Sequence, residues 1–262
     1  MNRRKYLFPN VIELNVAAGK PLGVNVYLID GGSEYVLIDI GEEDTLDEII
    51  DLIRGMDFPL SKCKMLIATH ADVDHVQALA AARDRLKTKT AAHPAAVTAI
   101  ESGDPIETFA RISAQKFDMP MPPCKVDTKL KDGDVIKVGK LKVEVWHTPG
   151  HTPGQLSFRI DNLLLSGDNI YKDGGVGVID AHHGSNIPDF ITSLSRIRDC
   201  DAEFLLPSHG PPFRHNRSLI QSTINRLTGY QFMADFGPCA VGWPLQEQWE
   251  KDVIAGKDPD LS

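Results

Sequence analysis

Cysteine is scarce in this chain: Cys63, Cys124, Cys200 and Cys239 are far apart and no two form a CxxC pair. That spacing argues against a disulfide-stapled scaffold or a cysteine-bound structural zinc, and reads as reduced, mostly buried thiols in a cytoplasmic protein. Long apolar runs are absent too. No stretch approaches the ~18 residues a membrane span needs, and the basic start has no apolar core before Pro9, so neither export nor a membrane partner is expected. Positive charge is in deficit: 28 Lys and Arg against 36 Asp and Glu leave a formal charge of −8 and a pI near 5.6. Phosphate-binding proteins normally show a basic face, so no nucleic-acid partner is expected.

What is present is an ordinary globular composition, 42% hydrophobic and 24% charged over 262 residues, enough to bury a large core as one α/β domain or two small ones. Apolar runs Val24 to Ile29 and Tyr35 to Asp39 flank Asp30-Gly31-Gly32 as a hairpin, and a helix follows from Glu42 to Ile53 with Leu46, Ile49, Ile50 and Ile53 at helical spacing. Lys64 to Ala68 reads as a strand, His75 to Leu86 as an alanine-rich helix, and Thr90 to Ala92 as another strand. Residues 94–125 hold two helix-like patches, Ala95 to Ser102 and Ile106 to Phe117, then a proline- and methionine-rich run; they suit an inserted cap or a plain surface connection. The second half repeats the style. Hairpins form around Gly139-Lys140 and Asp161-Asn162, helix Pro188 to Arg198 leads into strand Glu203 to Leu206, and a helical extension occupies 212–262, with a helix from Ser218 to Phe232. Two mixed sheets packed face to face with helices outside accommodate that order.

Chemistry concentrates at the ends of these strands. His70-Ala-Asp72-Val-Asp74-His75 places four potential metal ligands in six residues where a strand turns into a helix. His151 stands between two Thr-Pro-Gly units, Asp168 follows Ser166-Gly167, and His209 follows Pro207-Ser208. Each has a bland explanation by itself, such as an aspartate capping a helix, but those explanations leave the coincidence unexplained.

Taken in order, HADVDH, TPGHTPG, SGD and LPSHGPP resemble the metallo-β-lactamase superfamily over essentially residues 10–230. The resemblance implies an α+β fold, a single domain over 1–262 built as a four-layer αββα sandwich with two divalent metal ions at one edge between the sheets. His70, Asp72 and His151 would hold the first ion, Asp74, His75 and His209 the second, and Asp168 would bridge them. Asp74 would orient the attacking water as the catalytic carboxylate, and a water or Asp74 would protonate the leaving group. Zinc is the first expectation. Asp72 departs from the family, which usually has an imidazole there, and a hard carboxylate also admits iron or manganese and leaves the bridging water less acidified.

The expected activity is hydrolysis of an ester, thioester, lactone or related small-molecule substrate. Asp168 argues against an antibiotic-hydrolysing member, and Val76-Gln77-Ala78, where Gly-Gly is often seen, weighs against the thioesterase and lactonase groups. Two other classes are carried alongside. One is a non-haem iron redox protein similar to the flavodiiron core or a sulfur dioxygenase, although only 53 residues (262 − 209) follow His209, against ~100 to 150 for a flavin domain. The other is a metal-poor relative that binds a ligand without turnover. A homo-oligomer is compatible with all three. His147 is expected in a structural hydrogen bond rather than on metal; His182 and His183 face substrate or form surface loop; His93 and His215 are peripheral.

Overall fold

A computed structural model describes residues 4–17, 19–20, 23–233 and 244–255. Cys239 and most of the segment before the last helix lie outside them.

The first sheet begins with an antiparallel meander, β1 (Arg4–Phe8), β2 (Val11–Leu14), β3 (Val26–Asp30) and β4 (Tyr35–Ile38). Helix α1 (Glu43–Gly55) then crosses over to β5 (Cys63–Ile67), parallel to β4. The chain continues through α2 (Val73–Val76), α3 (Leu79–Leu86), β6 (Lys89–Ala92) and α4 (Pro94–Ser102). A two-stranded ribbon, β7 (Arg111–Ile112) and β8 (Phe117–Asp118), precedes β9 (Thr128–Lys129), which completes a seven-stranded order β1-β2-β3-β4-β5-β6-β9. The second sheet repeats the plan. Antiparallel β10 (Val135–Val138), β11 (Leu141–His147), β12 (Leu156–Ile160) and β13 (Leu163–Gly167) are followed by crossover helix α5 (Ile187–Asp199) into β14 (Phe204–Pro207), parallel to β13. Edge strand β15 (Phe213–Arg214), α6 (Arg217–Tyr230) and α7 (Pro244–Ile254) follow.

Alternation along the strands sorts side chains into three apolar layers, because successive residues point to opposite faces. In β3, Val26 and Leu28 face the helix-side core with Leu46, Ile49, Ile50 and Ile53 of α1, while Tyr27 and Ile29 join the layer between the sheets. In β13, Leu163 and Leu165 enter that middle layer, and Leu164 meets Phe190, Leu194 and Ile197 of α5 and Ile220 of α6. The result is the expected αββα sandwich.

Three local expectations need correction. The meander starts earlier than the first apolar run, since β1 and β2 precede it. Ile106 to Phe117 is not a helix: Asp104 Oδ1 accepts from the N–H groups of Ile106 and Glu107, Phe109 and Lys116 take left-handed backbone (φ 54° each), and Ile106 lies exposed. An Asx-type turn thus replaced helix formation, and the apolar residues found partners one by one rather than as a helical stripe: Ala110 and Phe117 pack on the helix-side core and Phe109 stacks on His183. The helix expected from His75 to Leu86 is broken into α2 and α3. The carbonyl of His75 accepts from the N–H groups of Ile40 and Gly41, and the carbonyl of Gly41 accepts from Ala78 N, so the turn after α2 is bonded to the loop leaving β4.

Candidate metal centre

The parallel strands β4, β5, β13 and β14 all end at the same edge of the sandwich, the end at which α/β proteins present functional groups. Asp39 follows β4, His70 and α2 follow β5, Asp168 follows β13, and His209 follows β14. His151 comes from the turn joining β11 to β12. All seven residues expected from the sequence converge there. Ligand atoms of His70, Asp72 and His151 lie within 4.8 Å of one another, as do those of Asp74, His75 and His209, and those of His70, His75 and Asp168.

The orientation of the four imidazoles has a common cause. Each ties its Nδ1 to an acceptor outside the cluster. His75 Nδ1–H donates to Asp39 Oδ2 at 2.9 Å, His151 Nδ1–H to the Val178 carbonyl at 2.8 Å, and His209 Nδ1–H to the Gly23 carbonyl at 3.2 Å. His70 Nδ1 meets Thr69 Oγ1 at 2.8 Å, and that hydroxyl donates to Asp39 Oδ2 at 3.0 Å. In the neutral ring, the form that ligates a metal, tying off Nδ1 assigns the tautomer in which Nε2 keeps its lone pair, and every Nε2 faces inward. Gly177 lets the loop after Asp168 close over His151, since a β-carbon there would meet the ring at 2.7 Å.

Several buried atoms in the cluster have no hydrogen-bond partner: Nε2 of His70, Nε2 of His75 and Oδ1 of Asp168. Orphaned polar atoms cost about 1–3 kcal/mol each when buried, so their clustering calls for a partner. Nitrogen lone pairs and carboxylate oxygens directed at common points are the donor set of a divalent cation, and the residues present fit one.

Charge pairing holds the cluster without a cation. Burial works against a charged His75, but the carboxylates of Asp74, Asp39 and Asp168 outweigh it and lift its pKa to about 9. Burial likewise opposes charge on His151, where Asp72 prevails and the pKa reaches about 9. His209 overcomes its own burial through hydrogen bonds to Asp168 and Asp74 and is pushed up to about 11. Burial opposes ionisation of Asp72 and Asp168 too, yet the facing imidazoles hold both well below the usual carboxylate range. These folded-state histidine values exceed the ordinary 6.5, so the stability they contribute is present below that pH and lost as pH rises through 9 and, for His209, 11. Chelator-treated protein is therefore expected to melt at progressively lower temperature from about pH 6 to about pH 10, while proton release accompanies metal uptake over the same window. A melting midpoint that holds or rises across that window contradicts the pairing.

A sequence profile of the metallo-beta-lactamase superfamily matches residues 19–209. The chain belongs to the metallo-beta-lactamase superfamily. Within it, an "Acyl-coenzyme A thioesterase MBLAC2" from Gallus gallus is 28% identical over 208 residues, covering 71% of this chain and 72% of that protein. A metallo-beta-lactamase family protein from Thermus thermophilus superposes with a TM-score of 0.68 at 21% identity, over 86% of this chain and 82% of its own. The MIM-2 metallo-beta-lactamase does so with a TM-score of 0.65 at 22% identity, over 84% and 85%. These solved structures speak to the fold alone. This metallo-beta-lactamase-fold chain is an enzyme of the hydrolase class, and its sheet edge carries the metal-type side chains of such an enzyme.

Two contributors, Asp39 and Tyr171, were not expected as site residues, and a third, His183, was expected only to face substrate or form surface loop. Asp39 is buried, adopts φ 58°, and accepts from Thr69 N, Thr69 Oγ1 and His75 Nδ1. Its only sequence signal is an acid ending the apolar run Tyr35 to Ile38. Tyr171 donates its hydroxyl to Asp168 Oδ2 at 2.7 Å, and burial together with Asp168 raises its pKa well above the ordinary range. His183 Nε2 lies 2.8 Å from Asp72 Oδ1. The remaining histidines stand outside the cluster. His147 Nε2 bonds the Pro153 carbonyl and its ring stacks on His93, His182 is exposed beside Asp180, and His215 bonds the Ile197 carbonyl. Among the described residues no helix is long and apolar enough to cross a membrane.

Proposed function

We propose that this chain is a metal-dependent hydrolase acting on a thioester or a related ester or lactone. The observation that carries the metal dependence is the inward-facing Nε2 of His70, His75, His151 and His209, each fixed from outside through Nδ1. The thioester preference is supported by the relatives named acyl-coenzyme A thioesterases, from Gallus gallus at 28% and Bos taurus at 29% identity. It goes against the weight that Val76-Gln77-Ala78 carried in the sequence.

In this reading His70, Asp72 and His151 would hold one divalent ion and Asp74, His75 and His209 a second, with Asp168 serving the pair. Zinc comes first, with iron or manganese admitted by the three carboxylates. Bound there, the ions would supply an activated water and a Lewis acid for the substrate's carbonyl oxygen. The protein's own groups do the rest. Asp74 is the most open carboxylate of the set, its side chain 23% exposed against 9% and 6% for Asp72 and Asp168. It is therefore placed to take the proton of the attacking water and return it to the departing thiolate or alkoxide, as the C–O bond forms and the C–S or C–O bond breaks. Asp168, held by Tyr171, stays ionised. Beside Asp72 a cavity of about 220 Å³, lined by Ala71, Ala96 and Ala99 on one hand and by Glu107, Thr152 and His183 on the other, offers room for a small substituent of mixed polarity.

The test is metal analysis of protein purified without added metal, followed by thioester, ester, lactone and phosphoester assays before and after chelation. Two equivalents of metal and a thioesterase activity abolished by chelator and restored by zinc, manganese or iron are expected. Fully loaded protein that hydrolyses none of these compounds overturns the proposal.

A further inference from the structure

Asp72 gives its two carboxylate oxygens separate partners. Oδ2 faces the cluster, 3.0 Å from His151 Nε2 and 3.6 Å from His70 Nε2, whereas Oδ1 is met at 2.8 Å by Nε2 of His183. His183 belongs to the short turn Ala181–His183 beyond β13, 111 positions from Asp72.

This turn is built rather than loosely placed. Asp180 Oδ1 accepts from His182 N, and Ser185 Oγ donates to the His151 carbonyl at 2.6 Å. The His183 side chain is 5% exposed while that of adjacent His182 is 86% exposed, so only one of the two is drawn inward. Its ring stacks on Phe109 with centroids 3.5 Å apart. Phe109 holds left-handed backbone at φ 54°, a costly conformation for an aromatic residue. The turn that carries it is anchored by Val73 N donating to the Thr108 carbonyl at 2.7 Å, at the start of the helix bearing Asp74 and His75. Stacking ring, anchored turn and hydrogen bond together leave His183 a single aim.

We propose that His183 is a positioning residue of the first metal position, its Nε2–H holding Asp72 Oδ1 so that Oδ2 alone is presented where His70 and His151 converge. A nitrogen donating its proton cannot ligate at the same time, so His183 acts through Asp72. Groups that orient a ligating carboxylate in this way typically contribute about 10- to 100-fold in metal affinity. The inference rests on the metal-site reading above.

Cobalt(II) titration of the full chain, followed by its visible absorption and by calorimetry, tests it with His183→Leu, which fills space without donating, and His183→Gln, which retains an N–H. The expected result is two equivalents bound by wild type. In H183L one of them is weakened about 10- to 100-fold with an altered spectrum and the other is unchanged, and H183Q returns to within a few-fold of wild type. In an Asp72→Ala background, H183L is expected to add no further loss. Equal binding by H183L and wild type overturns the proposal, as does equal weakening in H183L and H183Q, which would make ring packing the cause. Wild-type protein that takes up no cobalt sinks the metal-site reading itself, and this inference with it. Were H183L not to fold, nitrogen-15 spectra of histidine-labelled wild type decide the matter. A protonated His183 Nε2 supports the assignment, and an unprotonated one refutes it.

Discussion

Asp168→Ala is expected to lower kcat/KM for a thioester substrate by about 10³-fold and to leave the protein short of metal. Asp168 is the carboxylate that all parts of the cluster share. Its Oδ1 lies 3.8 Å from His75 Nε2, and its Oδ2 lies 3.5 Å from His209 Nε2 and 4.0 Å from His151 Nε2. Removing one partner from a buried charge cluster costs about 3–5 kcal/mol, because the opposite charges stay behind in a place water does not reach. Separately, a 10³-fold loss in kcat/KM corresponds to about 4 kcal/mol of transition-state stabilisation, the scale of one electrostatic contributor removed from a reacting centre. The loss is expected in kcat/KM and in bound metal together. Metal content by elemental analysis, measured beside steady-state hydrolysis, checks both. Activity within tenfold of wild type, at full metal content, would remove Asp168 from the centre.

Asp39→Asn carries the second large effect even though Asp39 is not among the expected ligands. Asparagine tolerates the left-handed backbone at this position (φ 58°) and matches aspartate in size, so neither strain nor a cavity accounts for the outcome. What changes is the acceptor. Oδ1 accepts from Thr69 N at 2.8 Å, and Oδ2 accepts from Thr69 Oγ1 and from His75 Nδ1. Whichever way the amide is turned, its NH₂ group opposes a donor. With the NH₂ at the Oδ2 position, the His75 ring loses the acceptor that keeps its Nε2 directed inward and the Thr69 hydroxyl that steadies His70 loses its anchor. With it at the Oδ1 position, the Thr69 N–H beside His70 is left without its acceptor. Metal affinity is expected to fall about 10- to 100-fold. The metal-free protein is expected to lose about 1–3 kcal/mol, as for a buried hydrogen-bonding group left unsatisfied. Urea unfolding of chelated protein reads the second quantity and a chelator competition reads the first. Unchanged affinity would show that Asp39 holds the fold and nothing more.

These two residues mark where reading along the chain stops. Asp168 stands out in the sequence because a ligand-type residue follows Ser-Gly in a fixed order after HADVDH and TPGHTPG. Asp39 does not, because an acid at the end of an apolar run is ordinary until β4 is known to lie beside β5. His183 is harder still. Nothing distinguishes it from His182 until the stack on Phe109 is seen, and the 106–117 segment that supplies Phe109 reads as a helix when only its apolar spacing is considered. The break between α2 and α3 has the same origin, since the carbonyl that an unbroken helix would use is taken by Ile40 and Gly41.

By itself the sequence carried strands and helices consistent with two face-to-face sheets and clusters of imidazole and carboxylate at strand ends, since these are written in short-range terms of alternation and helical spacing. The resemblance those clusters carry added the αββα layering and the grouping of the seven metal-type residues. Tertiary structure alone decided which ring nitrogen of each histidine faces inward and which oxygen of Asp72 is free. Those choices are made by acceptors and donors at Asp39, Val178, Gly23 and His183, brought to one sheet edge by strand order rather than by any proximity along the chain.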